Sequence, residues 1–149
     1  MKRIILIVLA ICILGVGIFV LKKYVFVSEE ERIKKTLKLA EASLEKKDTS
    51  TFMKQISLEY RDSFGFTYGT LFFFVKDTLK QYEKVNISLS QMTIKREGKE
   101  AEVKFIGKGE AVDSFGKTVK EMDRFILRMK KESGKWKIVW LAGDKYSFE

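Results

Sequence analysis

The sequence predicts an α+β protein: an N-terminal transmembrane helix, then two to three helices packed on one face of a curved antiparallel sheet. Three observations point there. Residues 4–21 (IILIVLAICILGVGIFVL) form an unbroken apolar run, residues 33–44 and 68–82 space their apolar side chains by three and four, and residues 86–140 alternate apolar with polar between glycine turns. Helices followed by strands, with no interleaving of the two, form the α+β pattern. The domain boundaries that follow are 1–27 for the anchor with its flanks and 28–149 for the folded domain.

The apolar run of about 18 residues rises about 27 Å as a helix, close to the thickness of a bilayer's hydrocarbon core. Lys2 and Arg3 before it and Lys22 and Lys23 after it mark the two interfaces, and Tyr24 and Phe26 suit the headgroup level. A cleaved signal peptide has roughly 7 to 15 apolar residues and a small-x-small site. This run is longer and passes straight into Lys22-Lys23, so it reads as a retained anchor. Cys12, the only cysteine, follows the bulky Ile11 and precedes more apolar residues. It therefore reads as a small apolar member of the helix, not as a lipid-modified residue. Gly15 and Gly17 are two apart and do not form a GxxxG packing face. The short basic tail is expected inside and the domain outside, which makes a single-pass membrane protein with an extracytoplasmic domain.

Composition excludes much of enzymology. The chain has no His, so imidazole bases, Ser-His-Asp systems and His-containing zinc sites are ruled out. A single cysteine leaves no disulfide and no thiolate cluster. No metal and no cofactor is expected, and any catalysis would run on Asp, Glu, Tyr, Lys or Arg. The formal charge is +9; setting aside the four cations beside the anchor leaves 25 against 20 acids. The signs alternate along the predicted elements, as solvated faces do, and nucleic acid is not an expected partner. Attraction of the domain to anionic headgroups is the more natural use of the excess.

The elements follow in order. Ser28 and Glu31 have capping-box spacing, three acids fill the first turn, and Ile33, Leu37, Ala40 and Leu44 make one apolar stripe. That helix ends at Lys46-Lys47, and Asp48 or Thr49 caps a short second helix carrying Phe52, Met53 and Ile56. Residues 58–65 have no helical period and read as a loop or short extended piece. Tyr68, Leu71, Phe72, Val75, Leu79 and Tyr82 then keep helical spacing, and Phe73 and Phe74 widen the apolar face, which predicts burial on more than one side. From Asn86 the period becomes 2, with a slip at Ser90-Gln91 that predicts a bulge. Turns at Gly98, Gly116 and Ser133-Gly134 separate four strands. The last two carry Phe125, Leu127 and Met129 on one face and Trp136, Ile138 and Trp140 on one face.

The order of these elements, the segment Ser57-Leu58-Glu59-Tyr60-Arg61-Asp62 and the closing Gly134-Lys135-Trp136-Lys137-Ile138 hairpin resemble the nuclear transport factor 2-like (SnoaL-like) superfamily. The resemblance implies a cone, in which a strongly bent sheet wraps a long helix. It also implies a range of uses. Enzymes of the superfamily, such as ketosteroid isomerase and scytalone dehydratase, move a proton with Asp, Tyr or His in the cone. Membrane-anchored members serve in secretion-system assembly.

No catalytic residue is assigned. The candidate pocket or loop residues are Tyr60, Arg61, Asp62, Tyr68, Phe72, Tyr82, Asp123, Phe125 and Trp140, with Asp62 read first as a loop carboxylate, bonded to nearby amides or paired with arginine. The expected function is a non-enzymatic, membrane-anchored binding or scaffold domain. Its expected partners are the membrane and a small apolar ligand or an envelope protein, with a homodimer as a further candidate. The alternative is an Asp/Tyr-dependent isomerase, dehydratase or hydrolase acting in the cone.

Overall fold

A computed structural model describes residues 27–143. The predicted anchor, residues 4–21 with its flanks to residue 26, lies outside the described residues. Among those described, no helix is long and apolar enough to cross a membrane. The chain divides into two compact units, Met1–Arg32 and Ile33–Glu149.

In the first unit the described part is the helix start. Ser28 Oγ accepts from the Glu31 amide at 3.2 Å, which is the predicted cap, and Glu29 pairs with Arg32 at 3.6 Å. The helix this opens, α1 (Glu29–Glu45), is followed by α2 (Thr49–Met53) and α3 (Tyr68–Lys80). Four strands complete the domain: β1 (Tyr82–Glu97), β2 (Glu100–Asp113), β3 (Thr118–Glu132) and β4 (Lys135–Gly143). They form one antiparallel meander in the order β1-β2-β3-β4.

Local chemistry explains the joints. α1 stops because Lys47 turns left-handed (φ 57°): its amide bonds to Leu44 O and the Asp48 amide to Ser43 O at 2.8 Å, a Schellman closure built without glycine. Asp48 then caps α2 by accepting from the Thr51 amide at 2.9 Å. Hydrogen bonds from Thr51 hold the Asp48 carboxyl below the usual range. The β3–β4 hairpin needs two residues at positive φ, and Ser133 and Gly134 supply them.

The core lies between the helices and one face of the sheet. Ile33, Leu37 and Ala40 of α1, Leu71, Val75 and Leu79 of α3, and Val103, Leu127, Met129 and Trp136 of the sheet are buried there. The bulge read at Ser90-Gln91 is present: the β1–β2 register jumps between Ser90 and Thr93, and Gln91 has φ 51°. Three expectations fail. Tyr82 opens β1 and is not the last turn of α3, because the helix ends at Lys80. α3 is buried on one side only, with Phe73 64% and Phe74 51% exposed. Finally, Trp140 does not share the face of Ile138. Val139 has no partner in β3, since Ile138 pairs with Met129 and Trp140 with Arg128, and this one-residue bulge turns Trp140 to the outer face.

Both sheet edges are covered over part of their length. Along β4, residues 55–63 run beside the strand: the Ser57, Arg61 and Ser63 amides donate to Ile138 O, Val139 O and Leu141 O, and the Ile138 amide donates to Gln55 O. Along β1, the Ile87 amide donates to Glu45 Oε1 at 2.9 Å and the Leu89 amide to Glu41 Oε2 at 3.2 Å. Lys47 Nζ closes the same edge on Tyr82 O at 2.7 Å.

Candidate functional site

Helix stripes at spacings of three and four and strand stripes at spacing two converge on one space, and here they do not quite fill it. A void of about 170 Å³, open along part of its boundary, remains between Leu37 and Leu44 of α1, Phe52 of α2, Leu71 of α3, Ile87 and Leu89 of β1, Phe105, Leu127, Ile138 and Leu141 of the other strands, and Ile56 and Tyr60 of the intervening segment. Its wall exposes no polar atom. Glu41 lies at its margin, with its carboxylate on the Leu89 amide.

Of the candidate residues, only Tyr60 lines this void. It is 3% exposed, and its hydroxyl donates to Asp62 Oδ2 at 2.8 Å. Burial first, and then the Asp62 carboxylate, push the phenol well above its usual pKa. Asp62 Oδ1 accepts from the Phe64 amide at 2.9 Å and the Phe66 amide at 2.8 Å, so the loop itself occupies both carboxylate oxygens. Arg61 is exposed; its backbone bonds to β4 and bridges to Thr67.

The other candidates are dispersed. Tyr68 and Tyr82 are half-buried against the core margin. Phe72 lines a separate groove of about 460 Å³ with Lys47, Lys76 and Lys80. Phe125 stacks on Phe105 at 5.6 Å and lies over Gly107, where an added Cβ would stand 3.0 Å from the ring. Asp123 pairs with Gly107 across the strands, is exposed, and accepts from the Arg124 amide at 2.8 Å. Trp140 sits on the outer face under the Arg128 guanidinium at 4.6 Å. Among the described residues, no group of acids or cysteine could hold a metal.

The void's own walls were visible in the sequence only as core. Periodicity reports which side chains face inward, and a gap between them leaves no trace in spacing.

Three helices pack on a four-stranded antiparallel meander. The domain has the nuclear transport factor 2-like fold. A nuclear transport factor 2-like superfamily protein from Salmonella enterica is similar with a TM-score of 0.65 and 21% identity, over 75% of this chain and 87% of that one. A protein of unknown function from Mycobacterium tuberculosis is similar with a TM-score of 0.67 and 14% identity, over 78% and 76%. Bd1075 from Bdellovibrio bacteriovorus is similar with a TM-score of 0.67 and 16% identity; 78% of this chain matches it, but only 44% of that longer chain is covered. No protein-family model and no curated protein matches the sequence. The nuclear transport factor 2-like fold hosts unrelated activities, so the likeness carries architecture and no reaction.

Proposed function

We propose that this chain is a membrane-anchored, extracytoplasmic binding domain without catalytic activity, whose cone takes a small apolar group. The observation that carries this reading is the void itself, which is wholly apolar-walled and reached by no free proton-transfer group. At about 170 Å³ it is smaller than the roughly 300–1,000 Å³ of sites for drug-sized ligands, and close to the roughly 150 Å³ apolar cavity that accepts benzene. A single aromatic ring or a short length of acyl chain fits that space. The anchor and its orientation rest on the apolar run and its flanking charges.

The test is thermal unfolding of the full chain in detergent micelles with toluene or cyclohexane added. A ligand at a hundredfold excess over its Kd stabilises by about 2.7 kcal/mol, and Leu71→Phe, which fills part of the void, should abolish the gain. An unchanged midpoint with both ligands would move the binding function off the cone interior.

One observation favours the catalytic alternative: Tyr60 lines the void and touches a carboxylate. Against it, Asp62 is already used by two amides and the phenol. Tyr60→Phe and Asp62→Asn, screened on isomerisation, dehydration and ester substrates, would decide. A turnover present in the wild type and lost in both variants would establish an enzyme.

A further inference from the structure

α3 turns an unusual surface outward. Leu71, Val75 and Leu79 fix its inner face, and the opposite arc exposes Gly69, Thr70, Phe73, Phe74, Lys76, Asp77 and Lys80. Two exposed phenylalanines in sequence are costly on a solvated helix, and this pair is braced: Phe73 packs edge-on against Phe72 at 5.4 Å, and Phe74 against Phe66 at 4.7 Å. Lys76 and Lys80 lie on the Phe73 side of the pair, and Asp77 is one turn on from both rings. Lys76 Nζ stands 5.6 Å from the Phe72 ring, and Lys80 lies 3.9 Å from Asp77, the arc's only acid. Lys47 and Asp48 line the adjoining groove, with Lys47 Nζ on Tyr82 O.

From this arc we propose that α3 lies on an anionic phospholipid surface, with Phe73 and Phe74 entering the headgroup–acyl boundary and Lys76 and Lys80 pairing with lipid phosphates. Rings on a helix face with lysines reaching past them is the composition of interfacial helices, in which apolar immersion and charge attraction add. The proposal rests in part on the anchored reading. On that reading only residues 22–28 separate the apolar run from the start of α1, a reach of at most about 25 Å. A protein groove would satisfy the two rings equally well. The lysines beside them and that short tether select lipid.

The experiment places a nitrobenzoxadiazole probe at Gly69→Cys, where an added Cβ meets nothing within 4 Å, in a full-length Cys12→Ala chain reconstituted in vesicles. With about 30 mol % phosphatidylglycerol, probe emission should shift to the blue and be quenched by spin-labelled lipid, and both effects should be absent in pure phosphatidylcholine. Lys76→Gln with Lys80→Gln should weaken docking about 30-fold, since each lysine near an anionic leaflet contributes about a fivefold factor. Phe73→Ser with Phe74→Ser should abolish it while the circular-dichroism melt stays cooperative.

A probe that stays in water in anionic vesicles, or one whose shift survives the double serine variant, overturns the proposal; the first result would hand the rings to a protein partner. Alkaline carbonate extraction tests the anchor separately. A chain that is stripped yet shows the shift loses the anchor and keeps the docking, whereas a retained chain without the shift does the reverse.

Discussion

Tyr60 concentrates the domain's chemistry in one hydroxyl. Its phenol is buried and bonded to Asp62, so its folded pKa is raised above the unfolded value of 10.0. The unfolded chain then releases the Tyr60 proton first as pH rises, and the folded state loses ground. Stability should be insensitive to Tyr60 below about pH 9 and fall above pH 10 by up to about 1.4 kcal/mol per pH unit. Tyr60→Phe should remove that component of the alkaline slope while costing about 1 to 2 kcal/mol at neutral pH, both read from urea titrations. Asp48 works in the opposite direction. Its folded pKa lies below 3.8, so the cap on α2 contributes above that pH and is lost as pH falls through the folded value. Gly107 is a steric case: alanine there places a Cβ 3.0 Å from the Phe125 ring and should cost about 1 to 3 kcal/mol, whereas Gly109→Ala, which meets nothing within 4 Å, serves as the control.

Among the elements, the bulges separate what a sequence discloses from what it conceals. The slip at Ser90-Gln91 is legible because Leu89 and Met92 are three apart where a plain strand would space them by two, and the register breaks there. The bulge at Val139 is silent, since Trp136, Ile138 and Trp140 keep a faultless alternation. Only the pairing of Trp140 with Arg128 reveals the flip. α3 misleads in a related way: hydrophobic count predicts a doubly buried helix, but the sheet offers contact to one face and leaves Phe73 and Phe74 outside. The edge of β1 carries the prediction at this scale. Glu41 and Glu45 occupy the Leu89 and Ile87 amides, so replacing both with alanine exposes strand donors. Concentration-dependent association in sedimentation velocity should rise in that variant and return to the wild-type level with glutamine, which still accepts a hydrogen bond.

At the scale of the molecule, the order of helices, the meander and the inward stripes are all legible, because each follows from a period of 3.6 or 2 and a glycine turn. The candidate site is not. Tyr60 and Asp62 do meet, two positions apart, but the end of α3 at Lys80 carries Tyr82 into β1 and the bulge at Val139 turns Trp140 outward, and local spacing encodes neither. The void is a matter of summed volumes, so its prediction belongs here. Leu71→Phe should keep or raise the unfolding midpoint, where a filled core would be strained by the larger ring, and calorimetry distinguishes the two. The sheet's borders have a consequence of the same scale. Strands that stop at a carboxylate on one side and at a stitched loop on the other offer little for a neighbouring copy to zip onto. Fewer bare donors along these stretches mean fewer handholds, so copies that collide are less apt to fuse through them than through an open border.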